Sequence, residues 1–310
     1  MTQTVVEEFL NVGGHTTSVL KCGDILSQNV LVLIIPGNPG LSGYYTEFMQ
    51  RLYDNSGQSK TPVWCVAHAG HGLLPESAGK SDPEENYCSL QGQVRHKLRF
   101  VADHIPRDTR LILIGHSIGC YMILHMLKKL DTSRVLKGLL LFPTIERLAL
   151  SESGRRVTPV LKRLYWAAHF PLYPVYYLFP GFVKDWIVRW YFKGRGVHHS
   201  AIEATKRLGD PWTVRRVVSM ANEEMQRVVD PDCDVIAANL NRLMFYYGSR
   251  DHWCPVQYYE DMKARFPDGD IMLCQQGIEH AFVLGSSKLM ADIIWDWLHR
   301  KVGKALNAGL

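Results

Sequence analysis

Short apolar runs alternate with segments of helical spacing along the first half of the chain. The runs are Val30–Ile35 (VLVLII), 63–67 (VWCVA), 111–114 (LILI) and 136–142. Within 89–105, Leu90, Val94, Leu98, Val101 and Ile105 recur every three or four residues, and 117–130 is again helix-like. Runs of this length read as strands buried on both faces, and their alternation with helices predicts βα units and a mostly parallel sheet. His15–Cys22 and the segment before it predict an antiparallel leading edge. After residue 235 the pattern resumes. Leu243–Tyr247 and 271–274 read as strands, Val256–Arg265 as a helix and 288–304 as a closing helix. Between the two halves, helical patterns appear without sheet-like runs. This predicts an α/β fold, a central sheet with helices on both faces, divided as core (1–148), inserted helical and apolar cap (149–238) and core (239–310).

Composition narrows the class. The chain has 310 residues, 46% apolar and 21% charged, with 25 Gly and 15 Pro, which excludes a disordered, collagenous or purely coiled-coil protein. A net charge of +5 on this length is too mild to argue for a nucleic-acid partner. The seven cysteines are scattered, with no CxxC pair, which argues against a disulfide framework or a structural zinc site. The N-terminal segment carries Glu7 and Glu8 rather than a basic stretch followed by an apolar run, and the chain has no Asn-x-Ser/Thr acceptor. A cytosol-facing protein without a signal peptide is expected. There is no internal repeat or low-complexity tract.

The chemistry concentrates at loops after strands. Residues 112–119 read ILIGHSIG, a Gly-x-Ser-x-Gly directly after a strand and directly before a helix. A serine hydroxyl attacks only when it is exposed, beside a base and close to oxyanion donors. A sharp strand-to-helix turn supplies that setting. Ser117 is the candidate nucleophile, Gly115 and Gly119 leave room where side chains would collide, and the N–H of Ile118 faces the oxyanion from the helix N-terminus. The plainer alternative is a glycine-rich turn with a capping serine.

Residues 34–40, IIPGNPG, follow the first long run, where a second oxyanion donor is expected. Asn38 is the candidate, through its backbone N–H or its side-chain amide, and Gly37 is placed beside it. Downstream, chain order calls for an acid and then a histidine. Asp251, in FYYGSRDHWCP, lies past a strand on a loop. Asp230, Asp232 and Asp234 compete by type but fall in an acidic turn at the end of the cap. His280, in IEHAFV, is 29 residues further on, between the last strand and the final helix. It is the candidate base; His252 adjoins the acid and is expected to point elsewhere. His116 neighbours the nucleophile, and His68 and His71 lie near the same rim, so His116 and His71, with Gly37, are candidate pocket residues. Neither a metal nor an organic cofactor is required.

Residues 164–183 (LYWAAHFPLYPVYYLFPGFV) form twenty positions without a formal charge, eight of them aromatic. The length meets the roughly 20-residue requirement for a membrane span. However, Pro171, Pro174 and Pro180 interrupt a straight helix, His169 lies inside, and Tyr and Trp prefer the interface. An element that enters a lipid surface and returns fits better, with Trp166, Phe170, Tyr173, Tyr176, Tyr177, Phe179 and Phe182 as contacts. Arg155, Arg156, Lys162, Arg163, Lys184, Arg189, Lys193 and Arg195 flank it to face anionic headgroups. The competing interpretation is an internal cap lining an acyl pocket.

Taken together, IIPGNPG at Ile34, PVWCVAHAGHG at Pro62, ILIGHSIG at Ile112, LLLFPTIER at Leu139, FYYGSRDHWCP at Phe245 and IEHAFV over 278–283 resemble the lipid droplet-associated hydrolase family over nearly the whole chain. The resemblance implies an α/β-hydrolase on lipid droplets and endoplasmic reticulum, and together with the composition and the interrupted apolar segment this leads to the expectation of a cytosol-facing protein held on the surface without spanning. Its substrate would be a lipid ester such as a cholesteryl ester or triacylglycerol, and the family's nucleophile, acid and base fall on Ser117, Asp251 and His280. Two other functions remain open on the residues: a droplet-bound interaction or remodelling protein with a vestigial triad, and an esterase or thioesterase for a smaller soluble substrate.

Overall fold

The computed structural model describes residues 4–25, 29–72, 85–167 and 170–307. Residues 1–3 of the N-terminal segment and His169 of the apolar segment lie outside this range.

The chain opens with a hairpin, β1 (Val6–Val12) and β2 (His15–Cys22), paired antiparallel. Its two-residue turn is Gly13-Gly14, both at positive φ (58° and 91°), the geometry that the right-handed strand twist requires and that glycine adopts without strain. Next come β3 (Val30–Ile35), α1 (Thr46–Asn55), β4 (Val63–Val66), the short α2 (Glu85–Cys88), α3 (Leu90–His104), β5 (Arg110–His116), α4 (Ile118–Leu127) and β6 (Val135–Leu141). Six helices follow before the sheet resumes: α5 (Glu152–Leu164), α6 (Leu172–Leu178), α7 (Gly181–Phe192), α8 (His199–Leu208), α9 (Pro211–Arg227) and α10 (Cys233–Asn239). The chain closes with β7 (Leu243–Tyr247), α11 (Val256–Arg265), β8 (Asp270–Leu273) and α12 (Ser287–Asn307).

The eight strands form one sheet in the order β1-β2-β4-β3-β5-β6-β7-β8, parallel from β4 to β8. The strand faces explain the apolar runs. In β3, Leu31, Leu33 and Ile35 enter a core shared with Val94 and Phe100 of α3, Met122 of α4 and Met262 of α11. Val30, Val32 and Ile34 enter a second core with Phe48 and Met49 of α1 and Ile294 and Trp297 of α12. Because side chains alternate across a strand and both faces are covered, every position must be apolar. The helix α1 was not foreseen. Its buried face, Phe48, Met49, Leu52 and Tyr53, is spread among polar residues in TEFMQRLYDN.

Register lines up the strand ends that carry the site. Ile35 pairs with Gly115, His116 with Leu141, Leu141 with Tyr246 and Tyr247 with Leu273. The loops after β3, β5, β7 and β8 therefore open on one rim, where ligands of parallel sheets bind. In the apolar segment, Pro171 and Pro180 fall at helix boundaries, whereas Pro174, expected to interrupt a helix, lies within one. Pro171 immediately precedes α6. Pro174 lies in its first turn, where the missing N–H has no intrahelical partner to lose, and Pro180 is the N-cap of α7. Among the described residues, no helix is long and apolar enough to cross a membrane.

Candidate active site

Ser117 sits between β5 and α4 at φ 53°, ψ −122°, outside the usual regions for a non-glycine residue. The surrounding chain holds it there. Its N–H donates to the Leu141 carbonyl at 2.9 Å, and its own carbonyl accepts from Cys120 at 3.0 Å. The two glycines of the motif are required by contact. A Cβ on Gly119 would strike the Ile35 carbonyl, and one on Gly115 would lie 2.8 Å from the Cys120 nitrogen. Gly37 is equally constrained, since a Cβ there would lie 2.9 Å from that of Ser117. The β3 loop is thus pressed directly against the serine.

His280, on the loop after β8, places Nε2 2.9 Å from Ser117 Oγ and Nδ1 2.7 Å from Asp251 Oδ2. Asp251, after β7, is buried, and its other oxygen accepts the N–H groups of Trp253 (2.7 Å) and Cys254 (3.1 Å). A carboxylate only accepts, so Nδ1 of His280 carries the proton and Nε2 turns a lone pair to the serine hydroxyl. The other acids are elsewhere. Asp232 caps α10 and pairs with Lys128, while Asp230 is exposed and Asp234 lies in the first turn of α10. His252 points away from the site, to Glu152 Oε2 at 2.7 Å.

The backbone donors of the β3 loop can be assigned by elimination. The N–H of Gly37 goes to the Tyr45 hydroxyl at 2.9 Å, that of Gly40 goes to the Gly37 carbonyl at 2.7 Å, and Pro39 has none. Asn38 is left. Its side-chain amide, however, is not free to face a substrate. Nδ2 is spent on the Val217 carbonyl and on Glu224 Oε1, both at 3.0 Å, so only its backbone remains as a donor. Opposite it, Ile118 opens α4, where first-turn N–H groups lack intrahelical partners.

A cavity of about 320 Å³ covers the serine. Ser117, His116 and His280 line it, together with Tyr44, Trp253 and Leu284 and with Phe192 of α7 and Leu208 of α8. Gly37, like His116, is among the residues that line it. His71 is not: it faces a neighbouring cavity of about 260 Å³ that shares Leu41 as a wall. Its ring is buried with Nδ1 donating to the Pro39 carbonyl at 2.7 Å, so it supports the β3 loop from behind, and burial lowers its pKa to about 4.

Several residues of the site carried no clear signal in the sequence. Tyr45 and Glu224 have been described. Phe142, at φ 49° after β6, lies edge-on to both His116 and His280, and Phe282 lies edge-on to His116. Burial raises the Glu224 pKa to about 8 against the opposing hydrogen bond from Asn38. Burial first, then the nearby His280, lower that of His116 to about 3.

Asp251, Cys254 and His280 have donor atoms within 4.8 Å of one another, a spacing that a metal ion could use. The donor set does not fit one. Burial holds the Cys254 thiol well above its usual pKa and its S–H turns to the Phe142 carbonyl, while the other two residues are bonded to each other.

On the apolar segment, Trp166, Phe170, Tyr177, Phe179 and Phe182 are exposed, whereas Tyr173 and Tyr176 are half-buried. Tyr173 stacks on Tyr177 and meets Trp212 edge-on; Lys184 sits over the Tyr176 ring. The exposed face continues through Leu178, Trp186 and Trp190, while Phe192 turns inward.

Comparison with known proteins agrees with this architecture. Among solved structures, a bacterial membrane phospholipase A is similar at a TM-score of 0.65 and 16% identity, over 96% of this chain and 86% of that one. A thioesterase domain from the curacin biosynthetic pathway is similar at 0.65 and 13%, over 94% and 99%. Such likenesses establish the α/β-hydrolase fold. At the sequence level, the lipid droplet-associated hydrolase of Gallus gallus is 44% identical over 96% of each chain. That of Homo sapiens is 38% identical over 97% of each. The family model described as lipid-droplet associated hydrolase matches residues 28–283. The chain therefore belongs to the lipid droplet-associated hydrolase family.

Proposed function

We propose that the protein is a serine hydrolase that cleaves lipid esters, cholesteryl esters or acylglycerols, at the surface of a lipid droplet or of the endoplasmic reticulum. The observation that carries this reading is the hydrogen-bonded series Ser117–His280–Asp251 beside a cavity, at 2.9 and 2.7 Å. His280 Nε2 takes the hydroxyl proton as Ser117 Oγ bonds the ester carbonyl carbon. Asp251 holds the imidazolium that forms. The backbone N–H groups of Asn38 and Ile118 receive the oxyanion, at about 3 kcal/mol per donor in analogous sites. Collapse breaks the bond to the alcohol oxygen, which leaves with the proton from His280. Water then gives a proton to the same nitrogen as it attacks the acyl carbon, and collapse breaks the bond to Ser117 Oγ, which takes the proton back from His280 as the acid leaves.

The cap, residues 149–238, supplies the substrate class. Phe192 and Leu208 make the cavity apolar, and about 320 Å³ is at the low end for ligand sites. One arm of an ester enters while the other stays in the lipid. Outside, Phe182, Trp186 and Trp190 offer aromatic rings at 64% exposure or more, with basic residues around them. Such a face lies in an interface rather than across it.

A panel of lipid esters presented in emulsion to the purified protein and to Ser117→Ala tests the reading. Fatty-acid release that disappears in the variant supports it. Equal release by both overturns it, because the activity then comes from something other than Ser117.

A further inference from the structure

His116, next to the nucleophile, takes no part in the proton transfer above, yet both its ring nitrogens are committed. Nε2 lies 2.8 Å from the carbonyl oxygen of His280 and Nδ1 2.6 Å from the Tyr45 hydroxyl. That hydroxyl oxygen also accepts the Gly37 N–H at 2.9 Å. A carbonyl only accepts, so Nε2 carries hydrogen. The neutral ring then presents a lone pair at Nδ1, which accepts the hydrogen bond donated by the Tyr45 hydroxyl. One arrangement satisfies every group: Gly37 N–H to Tyr45, Tyr45 O–H to His116 Nδ1, and His116 Nε2–H to His280 O. A second proton on His116 would leave Tyr45, itself buried, with a hydroxyl hydrogen and no acceptor in this series. The rings of Phe142 and Phe282 enclose the imidazole.

We propose that His116 and Tyr45 are positioning residues, a neutral hydrogen-bonded tie that sets the loops of β3, β5 and β8 against one another. The tie would have three effects. The bond to the His280 carbonyl fixes the backbone from which the base extends. The bond to Gly37 turns that N–H away from the cavity and leaves Asn38 as the donor of the loop. Finally, an uncharged ring stands beside the base, with centroids 5.4 Å apart, so the imidazolium forming there meets no neighbouring positive charge on His116. The titratable groups facing His116 are Tyr45, His280 and Asp251.

The inference rests on Ser117 acting through His280, and one experiment separates the two. Wild type, Ser117→Ala, Tyr45→Phe, His116→Phe, His116→Gln and the double Tyr45→Phe/His116→Phe protein are compared. The measurements are kcat and KM on a soluble p-nitrophenyl ester, the rate of fluorophosphonate labelling and the thermal unfolding curve. ¹⁵N NMR of the histidine rings reports the tautomer independently of activity. The expected result is a loss of tenfold or more in kcat and labelling rate for Tyr45→Phe and His116→Phe, with KM within twofold and folding retained. The double variant should be no worse than either single one. His116→Gln, which keeps a donor and an acceptor, should recover part of the loss. The wild-type His116 signal should be the Nε2–H tautomer, still neutral at pH 5. Wild-type kcat in folded Tyr45→Phe, or a His116 ring that is charged at pH 5, overturns the tie while leaving the hydrolase reading intact. A wild type that neither labels nor turns over the ester overturns both.

Discussion

Asn38, on the loop after β3, gives its side-chain N–H to Glu224 of α9 at 3.0 Å, across 186 positions of sequence. The contact ties the helical segment to the loop whose backbone faces Ser117. Burial pushes the Glu224 pKa up to about 8 from its ordinary 4.5, so the carboxyl is largely protonated in the folded protein near neutrality. The unfolded chain releases that proton above about 4.5. The contribution of Glu224 to stability is therefore complete below pH 4.5 and is lost as pH rises through about 8, at ~1.4 kcal/mol per unit in between. Glu224→Gln keeps a neutral side chain and removes this dependence. In urea titrations at pH 5, 6.5 and 8, the stability of the variant relative to wild type should rise with pH. A constant difference would contradict the burial argument.

The elbow around Ser117 depends on missing side chains. A single methyl at Gly119 runs into the Ile35 carbonyl, with the Pro36 carbonyl 2.8 Å away, and both are backbone atoms that cannot swing aside. Gly119→Ala should cost about 1–3 kcal/mol, as overpacking does, and should also displace the loop that carries Asn38. Thermal melting and fluorophosphonate labelling should both decline. A variant that melts and labels like wild type would show that the loop is not pressed against α4.

Asp251→Asn preserves shape but removes the acceptor that fixes Nδ1–H on His280. The asparagine can offer its N–H to Nδ1 instead, and the ring then turns its hydrogen toward Ser117. The expected loss in kcat is about 10⁴-fold, as in other triads, with the melting temperature little changed. Ester turnover by the variant within tenfold of wild type would mean that Asp251 does not set the tautomer.

The aromatic face can be separated from the chemistry. Phe182, Trp186 and Trp190 are exposed on α7 and do not line the cavity over Ser117. Replacing all three with serine should reduce flotation with triolein droplets coated in phosphatidylcholine. Turnover of a short soluble ester should remain within twofold. Unchanged flotation would remove the surface-binding role from this face.

What was legible in the sequence follows from how each feature is encoded. The sheet was readable because β3, β5, β6 and β7 face two cores and must be apolar at nearly every position. Ser117 directly follows β5 and Asp251 lies four residues past β7, both strands of this kind, whereas His280 lies seven residues past the shorter, half-buried β8 and was placed by chain order. Helix α1 was not readable, since its buried face is diluted by Thr46, Glu47, Gln50 and Arg51. His71 was assigned to the pocket by proximity along the chain, but its ring turns away from the serine to the back of the β3 loop. Glu224 and Tyr45 gave no signal at all. Their roles arise only when distant segments dock, and a glutamate on an amphipathic helix ordinarily faces water. Asn38 was proposed for its backbone N–H or its side-chain amide, and the amide is committed to Val217 and Glu224, partners that no local pattern reveals.

The central claim is that the Ser117 hydroxyl attacks. Purified protein, incubated with a fluorophosphonate and digested, can be examined by mass spectrometry for the residue that carries the adduct. The expected result is stoichiometric modification of Ser117, absent from Ser117→Ala and strongly slowed in His280→Ala. Folded wild-type protein that stays unmodified while a control hydrolase reacts, or an adduct on another residue alone, would contradict it.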